Sequence, residues 1–207
     1  MYELGPPFRG SMVPSGTNIL LSGPPLVGKR SIAMETLAVG ARRDEGTIIV
    51  STRDSVVRVR EAFSTLVDGK TDLAVVDAVS RHIGRSTDAD ATKYAPSPRD
   101  MSDIGVKFSE FIQSFYTEQQ REYNRVVLDS LTTLLLYSNL QTVFRFLHVF
   151  TSRVETVDGL GLYTIESTAH DAETLSTLDQ LFDATIEVDA AGSATLTLDD
   201  ETQTATL

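Results

Sequence analysis

The stretch LLSGPPLVGKRSI (Leu20–Ile32) is an apolar run that stops at Gly23, with Gly28-Lys29 following five residues later. That is the spacing of a phosphate-binding loop set between a buried strand and a helix. Successive backbone amides of such a turn converge on an anion, and the helix N-terminus adds roughly half a positive charge. Gly23, Pro24, Pro25, Leu26, Val27 and Gly28 would then cradle phosphate, while Lys29 would reach its β- and γ-oxygens. The pattern next asks for a serine or threonine, whose hydroxyl ligates Mg²⁺, but Arg30 stands there and a serine comes only at Ser31. A guanidinium has donors and no acceptor, so it cannot ligate a metal. Ser31 does not restore the position, because one residue along a helix is about 100° of rotation. Three readings of Arg30 stay open: a plain outward helix residue, a phosphate contact that replaces part of the metal's charge, or a degenerate site. The expectation is a purine-nucleotide site, ATP first, whose use of Mg²⁺ is weakened.

Working outward, NILLS (Asn18–Ser22), GTIIVST (Gly46–Thr52), LAVVDAV (Leu73–Val79), RVVLDS (Arg125–Ser130) and GLGLYTIES (Gly159–Ser167) read as short buried strands. Between them run helix-period stretches at about 30–42, 55–67 and 104–121, and a clear stripe from Leu140 to Val154. Strand and helix alternate from residue 18 to about 168. This predicts an α/β fold, a mainly parallel central sheet with helices on both faces, and a C-terminal antiparallel hairpin on its edge. No linker divides the chain, so residues 1–207 are read as one domain. Within it lie a lead-in segment over 1–17, a polar loop over 82–103 and a terminal hairpin and tail over 184–207. A loop of that length in a compact domain is commonly functional.

Composition narrows the classes of partner. Twenty-nine acidic residues against 18 basic ones give a net charge of −11, spread along the chain rather than held in a tail. Such a surface repels a phosphate backbone, which disfavours nucleic acid. Arginine outnumbers lysine 14 to 4, and Asp and Thr are plentiful, as on proteins from salt-accumulating halophiles. There are no cysteines, which excludes disulfides and thiol chemistry. The most apolar window, Leu131–Phe150, carries Asn139, Gln141, Arg145 and His148, too polar to span a bilayer. A cytoplasmic protein without a membrane segment is expected.

An apolar strand ending in Asp129 brings a carboxylate to the edge of the sheet where the glycine loop lies, placed to hold Mg²⁺ through a water. The alternative is that this aspartate caps the next helix, a role Ser130 and Thr132 could serve equally well. Here VPSGTNILLSGPPLVGK (Val13–Lys29), VVLDSLTTL (Val126–Leu134), RFLHVFTSRVETVDGLGLYTIES (Arg145–Ser167) and LDQLFDATIEVD (Leu178–Asp189) together resemble the KaiC-like branch of RecA-like P-loop ATPases. The likeness covers roughly Gly10 to Asp189 and is closest to small single-domain forms from halophilic archaea without assigned function. YAPSPRDMSDIGVKFSE (Tyr94–Glu110) also resembles that subgroup.

The resemblance implies ATP binding, and three departures from it imply little hydrolysis. The hydroxyl after Lys29 is lost. Where the family carries two acids that polarise the attacking water, the chain has Arg53-Asp54, and the cation beside Asp54 makes it a poorer base. The family's basic terminal hairpin is ATLTLDDETQTATL here, without a single cation. Asp54 stays as the one catalytic candidate, and Glu166, at the end of the GLGLYTIES strand, and His170, which follows it, are candidate γ-phosphate sensors. Arg145 and Arg153 are candidates to reach a partner subunit, and a homo-oligomer is left open. The expected function is a nucleotide-binding regulator that signals to a protein partner through the 82–103 loop. The alternatives are an Mg²⁺-dependent ATPase using Asp54 and an interaction module whose phosphate loop is vestigial.

Overall fold

Runs of five or six apolar residues are long enough to cross a sheet and too short for stable helices, so they pair with one another and the helix-period stretches pack over them. The structure is a computed structural model that describes residues 1–68, 72–85, 89–199 and 201–207. In chain order the elements are β1 (Tyr2–Glu3), β2 (Met12–Val13), β3 (Asn18–Gly23), α1 (Lys29–Ala41), β4 (Gly46–Ser51), α2 (Val56–Ser64), β5 (Leu73–Asp77) and β6 (Thr92–Tyr94). They continue with α3 (Met101–Thr117), β7 (Asn124–Asp129), α4 (Leu131–Tyr137), α5 (Leu140–Thr156), β8 (Leu160–Glu166), α6 (Ala172–Asp179), β9 (Ala184–Val188), β10 (Ser193–Leu198) and β11 (Glu201–Thr206).

Among the described residues, β1 and β2 pair with each other and nine strands form one sheet in the order β11-β10-β9-β3-β8-β7-β4-β5-β6. The run from β9 to β6 is parallel, and β10 and β11 are antiparallel additions at one edge. Alternate residues of each strand face opposite sides. Ile19, Leu21 and Ile49 join Ile32, Leu37, Val59 and Phe63 under α1 and α2. Leu20, Ile48 and Val50 join Phe108, Leu131, Leu147 and Phe150 under α3, α4 and α5. The α/β architecture read from the sequence is the one observed.

Several boundaries differ from expectation. The lead-in segment is a short hairpin whose Tyr2 hydroxyl accepts from Asn124 N at 3.0 Å, tying it to the start of β7. The 82–103 segment is not all loop, because Thr92–Tyr94 adds a strand beside β5 and α3 begins at Met101; residues 86–88 lie outside the described residues. The end of the chain is more than a hairpin and tail. Its first strand, β9, runs parallel to β3 inside the sheet, and the supposed tail is β11. Among the described residues no helix is long and apolar enough to cross a membrane.

Candidate functional site

The carboxyl ends of β3, β8, β7 and β4 lie side by side, with Gly23 opposite Glu166 and Ser51 opposite Asp129. The glycine loop connects β3 to α1 over this edge. Gly23 has no space for a side chain, since a Cβ there would lie 2.2 Å from the Val188 carbonyl oxygen. Gly28 has φ +97°, a left-handed conformation that glycine adopts without strain, and it begins α1. No side chain caps α1, whereas Asp100, Asn139 and Asp171 cap α3, α5 and α6. The first amides of α1 are thus left for another acceptor. Pro24 and Pro25 stiffen the loop, and Leu26 stands fully exposed at its apex.

Lys29 is the cation of the loop and is buried, 4% exposed. Its Nζ donates to the Pro24 carbonyl and to Glu166 Oε2 at 3.1 Å. Arg53 Nη1 approaches the other oxygen of Glu166 at 3.8 Å. Glu166 therefore engages the loop lysine directly. His170 is one step further out. Its Nε2 lies 3.1 Å from Thr132 Oγ1, and Thr132 accepts from Glu166 N at 2.9 Å. Partial burial lowers the His170 pKa, with Asp171 opposing the shift.

Arg30 turns inward rather than to solvent. Its Nη1 donates to Asp54 Oδ2 at 2.5 Å and its Nε lies 3.1 Å from Asp129 Oδ2. The second contact is ionic without hydrogen-bond alignment, so Asp129 Oδ2 has no donor of its own. Asp129 Oδ1 accepts from Thr164 Oγ1 at 2.7 Å. Around Asp54, Arg53 Nε and Arg58 Nη1 each stand at 3.8 Å. The proposed water-positioning base is accordingly enclosed by three guanidinium groups. The Asp129–Ser130 peptide is cis, and Ser130 N donates to Thr52 Oγ1 at 2.8 Å, joining the ends of β7 and β4. Ser31 is exposed, one step round the helix from this cluster.

The residues do not suit Mg²⁺, which demands oxygen ligands in a near-octahedral shell. The space between Asp54 and Asp129 is filled by a guanidinium, and the hydroxyl position is the residue that supplies it. Among the described residues no group of three or more His, Asp or Glu could hold a metal ion. Among the described residues, hollows flank the loop. A recess of about 240 Å³ is lined by Gly28, Lys29, Arg30, Arg53, Asp129 and Glu166. A neighbouring cavity of about 670 Å³ is lined by Pro7, Val27, Ile32, Glu35, Ala190 and Leu207 among others. Arg145 and Arg153 lie elsewhere, in a cavity of about 440 Å³ between α3 and α5. Nothing in the sequence marks Thr52 and Thr164, and Thr132 could be read there only as a helix-cap candidate.

Strand order, glycine loop and acid-tipped strands define an α/β protein with the RecA-like fold of KaiC-like proteins. A KaiC-like protein from Pyrococcus horikoshii superposes with TM-score 0.64 at 16% identity, over 94% of this chain and 84% of that one. An uncharacterized P. horikoshii protein, solved in complex with an unknown peptide, gives 0.70 at 12% identity and 94% coverage of both chains. The flagellar accessory protein FlaH of Methanocaldococcus jannaschii gives 0.52 at 12%, over 94% and 78%. Among curated proteins none matches the sequence. The chain belongs to DUF7504, a family of unknown function, which matches residues 16–188.

Proposed function

We propose that the protein binds a purine nucleotide, ATP or a close relative, at Gly23–Ser31 and uses its occupancy as a signal, with little or no hydrolysis. The observation that carries this reading is the buried Lys29 under an uncapped α1, facing a recess with room for phosphate. The adjoining apolar cavity offers a place for the nucleoside. Slow hydrolysis is supported by Asp54, whose carboxylate is engaged by Arg30 and flanked by Arg53 and Arg58, leaving it ill-suited to orient and deprotonate water.

A route from the site to the 82–103 segment supports signalling. Asp54 N donates to Ser51 Oγ at 3.1 Å, and the α2 start two residues on donates from Val56 N to Asp77 Oδ2 at 2.7 Å. Asp77 also accepts from Val79 N at 2.7 Å, Ser80 N at 2.8 Å and Ser80 Oγ at 2.6 Å, where that segment begins. A phosphate that contacted Arg30 would act, through the Asp54 carboxylate that Arg30 holds, on the start of α2 and from there on Asp77. Beyond it Ile83, Leu136 and Tyr137 are exposed, with His82 lying against the Tyr137 ring, apolar surface that a protein partner could cover. The peptide held by a protein of the same fold favours a polypeptide in that role.

The test is thermal unfolding with a nucleotide panel in molar KCl, beside phosphate release. ATP should raise the midpoint, by about 2.7 kcal/mol of stability at a hundredfold excess over Kd. Lys29→Ala should abolish the rise, and phosphate should not accumulate. Steady release that Lys29→Ala removes would make the protein an ATPase instead. A midpoint unmoved by every nucleotide would leave an interaction module with a vestigial loop.

A further inference from the structure

We infer that the Arg30 guanidinium occupies the place of Mg²⁺, so that the site takes a nucleoside phosphate stripped of its metal, and magnesium opposes binding instead of joining it. This rests on the nucleotide reading above. Arg30 is the residue directly after the phosphate lysine, the position whose hydroxyl would ligate the ion. Its side chain reaches back to both carboxylates at the strand ends, Asp54 at 2.5 Å and Asp129 at 3.1 Å. Those contacts are recessed, with the side chains 28%, 13% and 4% exposed for Arg30, Asp54 and Asp129. A hexahydrated dication would have to shed waters, which Mg²⁺ does reluctantly, and enter beside a guanidinium that cannot be deprotonated. Asp129 Oδ2, buried and without a hydrogen-bond donor, faces that guanidinium.

What the metal ordinarily does for the phosphate chain, Arg30 and Arg53 can do as donors. Arg53 already stands 3.8 Å from Glu166, the internal carboxylate on Lys29. An entering terminal phosphate would displace Glu166 and inherit Lys29 and Arg53, with Arg30 behind them. The ligand class follows from competition for magnesium in solution. Triphosphates chelate it more strongly than diphosphates, so in its presence the uncomplexed diphosphate gains relative to the triphosphate.

Two measurements decide this. Calorimetric titration of ATP and ADP, in chelator and then in excess Mg²⁺, should show total-ATP affinity falling when magnesium is added. If about a tenth of the ATP stays free, the apparent Kd rises about tenfold, and ADP should lose less. Arg30→Ser should reverse the effect, so that Mg²⁺ tightens ATP. Wild-type protein that binds Mg·ATP as tightly as free ATP overturns the inference. The second measurement needs no nucleotide: electron paramagnetic resonance titration with Mn²⁺. Arg30→Ser should gain one bound Mn²⁺ that Arg30→Ser with Asp129→Asn lacks, and wild type should match its own Asp129→Asn variant. A wild-type Mn²⁺ ion lost in Asp129→Asn overturns the inference even if Arg30→Ser does not fold. Failure of every nucleotide to bind would sink the nucleotide reading, while the Mn²⁺ comparison would still decide the role of Arg30.

Discussion

Gly23 and Arg125 show how strongly single positions are constrained. Any Cβ at Gly23 meets the Val188 carbonyl at 2.2 Å, and both partners are backbone, so relief requires moving β9 or the loop. Gly23→Ala should cost about 1–3 kcal/mol, read as a fall in the urea midpoint. Arg125 is wholly buried and bonds Glu45 Oε2 at 2.5 Å, Glu3 O at 2.6 Å and Thr36 O at 2.9 Å. Arg125→Met leaves the Glu45 carboxylate without its partner and should cost about 3–5 kcal/mol by the same measurement. Tyr2 packs near Arg125, and burial pushes its hydroxyl up to about 12 from 10.0. The unfolded chain therefore releases that proton first as pH rises. The stability Tyr2 contributes is whole below pH 10 and is lost as pH climbs through about 12. Melting points taken from pH 9 upward should fall less steeply in Tyr2→Phe than in wild type.

At the scale of elements, Asp77 links the start of α2 to the segment after β5 through four donated hydrogen bonds. Asp77→Ala should raise hydrogen exchange at 55–57 and 78–80 together, while α5 stays protected; separate responses would break the proposed route from Asp54. The elements were legible in the sequence in proportion to their burial. β3, β4, β5, β7 and β8 are buried along nearly their whole length and stand out as apolar runs. β6 escaped notice because Thr92-Lys93-Tyr94 is half-exposed and three residues long, so it has no pattern to show. The hairpin of β1 and β2 is shorter still. In the site, Lys29 and Asp129 could be read from motif spacing. The bridge from Arg30 to both acids could not, because it depends on β4 and β7 being neighbours that place Asp54 and Asp129 within reach of one side chain. Glu166 on Lys29 follows likewise from β8 lying beside β3.

Taken whole, the molecule carries a net charge of −11 over an ordinary hydrophobic core. Mutual repulsion among surface carboxylates opposes compactness and weakens as salt screens it. The unfolding midpoint should therefore rise as KCl is taken from about 0.1 M toward molar levels, where the screening length shrinks to roughly 3 Å; a midpoint that falls would count against a salt-adapted surface. Exposed pairs such as Lys93–Glu110 should lose their attraction over that range. Arg30 with Asp54 and Asp129 is sheltered from mobile ions, so brine that silences the exterior leaves this interior counterion in force. On the nucleotide reading proposed above, the pocket keeps a fixed cation in concentrated electrolyte, where a freely exchanging dication would face crowds of competing potassium.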